Sequence, residues 1–153
     1  MAAGHSTEPP PRAAGTPGER LAAIGAIVVI ASPLLPWYGV PVGGGLSKTG
    51  VENFGLAHLA MLITAAAALV LIGRRARGYL PPRPLGVGGL LIVAGTWIAA
   101  LICYLIAVRP EELAGSFNVN LRLGPFVALG GALTIVIGGI RVRALTISPP
   151  GPK

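Results

Sequence analysis

Apolar residues run in four long stretches along this chain, and none of them contains Asp, Glu, Lys or Arg. The stretches cover about residues 21–38, 54–72, 85–108 and 123–140. A helix needs about 20 mostly apolar residues to cross a bilayer, so the pattern predicts four transmembrane helices. A cleaved signal peptide is the alternative for the first stretch, although that stretch begins late and lacks a small-x-small cleavage site.

Polar and small residues dominate outside these stretches. Residues 1–19 are rich in Pro, Gly and Ala and show no apolar period, which is typical of a disordered tail. Residues 144–153 form a second, Pro-rich tail. The sequence therefore predicts one transmembrane domain over residues 20–143 with a tail on each side.

A different period occurs in residues 116–123, SFNVNLRL, where every second residue is apolar. That alternation predicts a half-buried β-strand, and a strand needs pairing partners for its backbone groups. The segments Tyr38–Val42 and Ser47–Val51, around a Gly43–Gly45 turn, can supply them. The predicted fold is an all-α membrane protein, a four-helix bundle with a small extracellular β-sheet cap. An irregular amphipathic loop at the headgroups is the alternative to the sheet.

Composition agrees with the membrane interpretation. Hydrophobic residues make up 53% of the chain and charged residues 11%, and the mean hydropathy is +0.75. The net charge of +7 raises the possibility of a nucleic-acid partner. Binding of that kind requires basic residues clustered on one face with aromatics that stack on bases. The basic residues lie instead between apolar stretches, so we expect no nucleic-acid partner.

The basic residues also predict an orientation. Nine of them fall in the two tails and the second loop, against Lys48, Arg109 and Arg122 in the first and third loops. The positive-inside rule then places both termini in the cytoplasm and the sheet outside, in a plasma (inner) membrane. The nine are Arg12, Arg20, Arg74, Arg75, Arg77, Arg83, Arg141, Arg143 and Lys153.

Small residues recur along the third and fourth stretches at spacings that place them on one helical face. Helices in a bilayer associate through such small residues. We expect these positions to pack helix against helix and, because they exceed what one bundle needs, to support a homo-oligomer or a contact with other membrane proteins. The residues are Gly88, Gly95, Ala99, Gly124, Gly131 and Gly138.

Three residues inside the stretches are candidates for ligand binding. His58 is an ionisable group within a predicted span, which is rare and often functional, and Cys103 lies at a similar depth. Trp97 is expected either to fill a gap in the bundle or to line a pocket. A simple hydrogen bond to a neighbouring helix is the structural alternative for His58. Too few further ligands are present for a structural zinc site, so no metal is expected.

The ends of the predicted helices carry two further candidates. Trp37 and Tyr38 occupy the position of an interfacial aromatic belt, where they would anchor the outer end of the bundle. Glu52 and Arg109 stand at the same predicted level and would form an ion pair between the two outer loops. Such exposed pairs contribute about 0–1 kcal/mol, so this one would orient the loops more than stabilise them.

A cluster of arginines in the second loop is expected to attract anionic lipids of the inner leaflet, at about 1 kcal/mol per basic residue. A docking site for a protein is the alternative. The cluster consists of Arg74, Arg75, Arg77 and Arg83.

The familiar signatures of four-span enzymes are absent from the sequence. There is one cysteine where thiol oxidoreductases need a CxxC pair, one histidine within a span where haem carriers need several, and no carboxylate within a span. We therefore expect no enzyme, no catalytic residue and no cofactor. The leading hypothesis is a non-enzymatic scaffold or accessory subunit. The alternative is a binding or transport module for a small apolar or lipidic ligand near His58, Trp97 and Cys103.

Three short motifs carry a resemblance to a known group of proteins. They are Leu35–Tyr38 (LPWY), Tyr104–Pro110, which ends in Arg-Pro, and Gly124–Leu133 (GxxxxLGGAL). Together they resemble a functionally uncharacterised family of small four-span membrane proteins of bacteria, mostly actinobacteria. The architecture is also similar to that of claudin-type tetraspan proteins, whose pair of outer cysteines is absent here. The resemblance implies a four-span topology and no mechanism.

Overall fold

A computed structural model describes residues 15–39, 47–52, 55–79, 85–108 and 120–147. Within them are four long helices. These are α1 (Pro17–Ala31), α2 (Leu56–Ala76), α3 (Gly86–Ala107) and α4 (Leu123–Ile147). Each helical region is long and apolar enough to cross a membrane, which confirms the four-helix prediction.

The boundaries of α1 differ from those predicted at both ends. Thr16 caps the helix through a capping box, in which its hydroxyl accepts from the N–H of Glu19 and the Glu19 carboxylate accepts from the N–H of Thr16. The helix thus begins at Pro17, inside the predicted tail. At the other end a 3₁₀ turn, Ser32–Leu34, replaces the predicted continuation to residue 38. The reason is that Pro33 and Pro36 have no N–H for the helical ladder.

The fourth helix also runs further than predicted. The apolar stretch ends at residue 140, but α4 continues through Arg141 and Arg143 to Ile147, which shortens the predicted C-terminal tail. Exposed arginines are compatible with a helix because their long side chains reach solvent from its last turns.

A small antiparallel sheet joins the loops at one end of the bundle, as predicted. Its strands are β1 (Pro36–Gly39), β2 (Ser47–Thr49) and β3 (Asn120–Leu121), in the order β2-β1-β3. Tyr38 pairs with Lys48 on one side and with Leu121 on the other. Residues 116–119 of the alternating segment lie outside the described residues.

The helices form a ring in the order α1-α4-α3-α2. Helix α4 packs most extensively on α1 and α3, and α2 packs on α1 and α3. The core is made of small residues and branched aliphatic side chains, with Met61 and Trp37 as its largest members at the sheet end. The first and last helices are therefore direct neighbours.

Glycines bring α1 and α4 into backbone contact. A Cβ atom added at Gly25 would lie 2.5 Å from the carbonyl oxygen of Gly131, and one added at Gly138 would lie 2.6 Å from that of Gly18. No larger residue fits at these positions without moving a helix. Close approach of this kind is the usual basis of helix association in a bilayer.

Helices α3 and α4 approach each other in the same way. A Cβ at Gly88 would lie 2.7 Å from the carbonyl oxygen of Gly139, and one at Gly95 would lie 2.9 Å from that of Ala132. Ala99 is partly buried against the same core. The small residues predicted to pack helix against helix therefore do so within this chain. The expectation of self-association assumed that some of them would be left over, and these positions are not.

Candidate functional site

Trp37 is the centre of a buried cluster where the sheet meets the helices. Its side chain has no exposed surface, and its ring covers two glycines. A Cβ atom at Gly50 would lie 3.0 Å from the indole Nε1, and one at Gly124 would lie 2.6 Å from it. The indole N–H donates to the carbonyl oxygen of Ser32 at 2.9 Å. Gly124, predicted to pack on a helix, therefore makes room for this ring instead.

His58 completes this group of residues, which we call the Trp37 cluster (Ser32, Trp37, Gly50, His58 and Gly124). The His58 ring is 2% exposed and meets Trp37 edge to face, with ring centroids 4.8 Å apart and planes inclined at 62°. Aromatic rings prefer this arrangement because the positive edge of one ring faces the negative face of the other. The first turn of α2 is thereby attached to the sheet.

Tyr38 attaches the sheet to α3. Its hydroxyl donates to the carbonyl oxygen of Leu105 at 2.7 Å, in the last turn of that helix, where carbonyl groups lack partners within the helix. Burial raises the pKa of the Tyr38 phenol above its ordinary value of 10, because the phenolate would lose hydration.

The prediction that Trp37 and Tyr38 are interfacial anchors is wrong. Both side chains are buried, and both polar atoms bond within the chain. The reason is the 3₁₀ turn at Ser32–Leu34, which ends α1 early and lets residues 36–39 fold back across the bundle as β1. An interfacial belt would require the rings to point outward toward headgroups.

The three candidate ligand-binding residues are not brought together. His58 lies under the sheet, whereas Cys103 is exposed and Trp97 is 54% exposed. Trp97 stands on the face of α3 opposite Gly95, so neither the gap-filling nor the pocket prediction for it holds. Among the described residues there is no group of three or more His, Cys, Asp or Glu side chains that would hold a metal ion.

The predicted pair of Glu52 and Arg109 stays a prediction, because Arg109 lies outside the described residues. Glu52 has a local role that the sequence analysis did not anticipate. Its carboxylate accepts from the N–H of Thr49 at 2.9 Å, and its own N–H donates to the Thr49 hydroxyl at 3.4 Å. This reciprocal bonding stabilises the turn after β2.

The opposite end of the bundle holds the arginine cluster. Arg75 forms an ion pair with Glu19 at 2.7 Å, with side chains 27% and 7% exposed, and so connects α2 to α1. Arg74 lies over the Tyr79 ring, 4.3 Å from its centroid. Gly78, at φ +87°, turns the chain so that Tyr79 reaches this position.

Two of the four predicted lipid-binding arginines therefore have contacts within the chain. Arg77 is exposed, and Arg83 lies outside the described residues. Sequence reasoning missed Glu19 because it assigned that residue to the tail. The signal that would have identified it is the T-x-x-E spacing before an apolar run, the signature of a capping box.

The polar contacts of the Trp37 cluster hold elements together: the Trp37 indole N–H donates to the carbonyl oxygen of Ser32, and the Ser32 hydroxyl donates to that of Val29 at 2.8 Å. The cluster thus packs β1 against the end of α1 and against α2 and α4. Comparisons with protein-family models, with curated proteins and with solved structures find no match to this chain. The resemblance to the bacterial four-span family and to claudin-type proteins stays a prediction.

Proposed function

We propose that this chain is a multi-pass membrane protein that acts as a non-enzymatic scaffold or accessory subunit. The observation that carries the proposal is the placement of its candidate chemical groups. Trp37, Tyr38, His58 and Glu19 all contact other parts of the chain and hold its elements together. Polar side chains of an enzyme or a transporter instead converge on a substrate.

The exposed surface supports the same proposal. Each helix presents large apolar side chains outward, including Ile27 on α1, Ile63 on α2 and Ile137 on α4. On α3 the outward face carries Val93, Trp97 and Tyr104. Aromatic residues are enriched where proteins meet, so this α3 face is the one we propose for a partner helix within the bilayer.

The ligand-module alternative receives less support. It requires His58, Trp97 and Cys103 to face one cavity between helices. His58 is buried under the sheet and the other two residues are exposed on α3, so no shared cavity follows from their positions.

Native mass spectrometry of the protein extracted with its surrounding lipids tests the proposal. We expect a protein partner at fixed stoichiometry, which is lost in Trp97→Ala and kept in the control Leu59→Ala, an exposed position on α2. Retention of a small molecule at one per chain, lost in His58→Ala and without any protein partner, would overturn the scaffold proposal in favour of the ligand module.

Cysteine labelling of intact cells tests the proposed topology, in a Cys103→Ser background. Cysteine introduced at Ser47 should react with a membrane-impermeant reagent, since β2 lies at the proposed outer end. Cysteine introduced at Arg77 should react only after the cells are opened. The reverse pattern would contradict the proposed orientation.

A further inference from the structure

Exposed apolar residues form a line on each of three helices, and each line ends in an exposed arginine. Residues three, four or seven apart share a helical face, so each arginine stands directly beyond the apolar side chains. The lines are Arg20, Ile24 and Ile27 on α1; Ile63, Val70 and Arg74 on α2; and Leu133, Ile137 and Arg141 on α4.

These arginines belong to one end of the bundle. Glu19 at the start of α1 contacts Arg75 at the end of α2, and Gly18 contacts Gly138 near the end of α4. The start of α3 joins them, because a Cβ at Gly88 would lie 2.8 Å from the backbone N of Arg143. The contacts bring all four helix ends together.

The charge at this end is strongly positive. Its described residues include six arginines and a single glutamate. That glutamate, Glu19, is paired with Arg75, so its charge is already compensated. The other five arginines are exposed, and we call them the arginine rim. They are Arg20, Arg74, Arg77, Arg141 and Arg143.

We propose that the arginine rim binds anionic phospholipids, with the phosphate group at an arginine and the acyl chains along the apolar line beside it. This inference rests on the proposed membrane insertion, which places the rim at headgroup level. Guanidinium groups bind phosphate oxygens through paired hydrogen bonds, and an exposed line of Ile, Leu or Val provides the surface that an acyl chain covers. Nucleic acids and acidic peptides also carry negative charge, but they have no acyl chain that would lie along the apolar lines.

The proposal separates Arg75 from the other arginines. Because Glu19 holds it, Arg75 adds no net charge to the rim, whereas removal of the Glu19 charge would add one. Glu19→Gln keeps the capping box, since glutamine also serves at that position. The pair of residues thus offers a test in which charge changes and the fold of the helix start does not.

The experiment uses the whole chain in nanodiscs of phosphatidylcholine with about 30% phosphatidylglycerol, followed by native mass spectrometry of the retained lipids. We expect phosphatidylglycerol to be enriched around the protein, and Arg141→Gln and Arg77→Gln each to lower its affinity about fivefold. Glu19→Gln should raise the affinity, and the double variant Glu19→Gln with Arg75→Gln should match the parent.

Three outcomes would overturn the proposal. Equal retention of the two lipids would show that the rim does not select anionic headgroups. A double variant that loses as much affinity as Arg141→Gln would show that Arg75 is part of the site. Displacement of the lipid by a soluble oligonucleotide would point to a nucleic-acid partner.

Thermal unfolding of each variant in pure phosphatidylcholine identifies any loss that comes from misfolding. The cysteine labelling described above separates this proposal from the proposed function. A normal topology without lipid selectivity would reject the lipid site and leave the scaffold proposal standing.

Discussion

The two ends of the bundle are built in opposite ways. At the sheet end, a three-stranded sheet covers the helices, and Trp37, Tyr38 and His58 are buried beneath or within it. At the arginine end, the described residues place exposed arginines around one buried carboxylate, that of Glu19. One end is closed by aromatic packing and the other presents charge.

The difference shows two ways in which the ends of the same four helices can be completed. Helix ends leave backbone groups without partners. At the sheet end a side chain supplies one such partner, since Tyr38 donates to Leu105. At the arginine end α2 finishes with backbone bonds through Gly78 and Tyr79, and water or headgroups can reach the rest.

The largest effect is expected at the sheet end, from Trp37→Ala. The change removes the ring that fills the space between Gly50 and Gly124, and loss of a large buried side chain typically costs about 3–5 kcal/mol. Chemical unfolding in detergent micelles, followed by circular dichroism, should show a free energy of unfolding lowered by that amount. Trp97→Ala is the matched control, because that ring is half exposed. An equal fall in the free energy of unfolding for Trp37→Ala and Trp97→Ala would contradict the prediction that only the buried ring stabilises the fold.

A smaller effect is expected at the arginine end, from Glu19→Gln. It leaves Arg75 without its carboxylate, and because Arg75 is 27% exposed water compensates part of the loss. We expect the free energy of unfolding to fall by about 1–2 kcal/mol. Adding Arg75→Gln to Glu19→Gln should restore part of the loss in the same unfolding assay. A double variant less stable than Glu19→Gln alone would show that Arg75 stabilises this end independently of the pair.

The smallest effect is expected from Tyr38→Phe, which removes the bond to Leu105 and should cost about 1 kcal/mol near neutral pH. A pH dependence accompanies it. The pKa of Tyr38 is raised by burial above 10, so the folded state holds its proton more tightly than the unfolded state does. Stability linked to this group is therefore complete below pH 10 and falls as the pH rises from there through the folded-state pKa.

Thermal unfolding of the parent and of Tyr38→Phe on both sides of pH 10 checks this dependence. The parent should lose stability faster than the variant above pH 10, and Tyr104→Phe on the exposed face of α3 should behave like the parent. Parallel pH curves for the parent and Tyr38→Phe would mean that this phenol does not titrate differently in the folded protein.

Apolar stretches predicted the four helices, and alternation predicted the presence of a small sheet. The alternation over residues 116–123 predicted a half-buried strand that pairs near Tyr38 and Ser47. The pairing is found at Asn120–Leu121, but both residues of that strand are exposed, and Leu123 already belongs to α4. The outward position of Trp97 also follows from the sequence, because Trp97 lies two residues after Gly95 and therefore about 200° around the helix from it. This angle indicates an outward ring, whereas the prediction for Trp97 was a gap in the bundle or a pocket.

Other features depend on contacts between distant parts of the chain. The burial of Trp37 requires Gly124 from α4 and Gly50 from the loop after β2, and no local pattern around Trp37 indicates either one. The pair of Glu19 and Arg75 likewise joins the first helix to the second. Such contacts follow from the arrangement of the helices, which local patterns in the sequence do not reveal.

The contact between α1 and α4 has a consequence for how the protein is made. Gly25 on α1 contacts Gly131 on α4, and these helices are the first and last in the chain. Because synthesis starts at the N-terminus, α1 leaves the ribosome long before its main partner is made. Under the proposed membrane insertion, the small-residue face of α1 has no matching surface until α4 is inserted, and the bundle cannot close before then. On that proposal the interface between α1 and α4 forms only after insertion, and chains that stop before α4 should aggregate more readily because their first helix never docks.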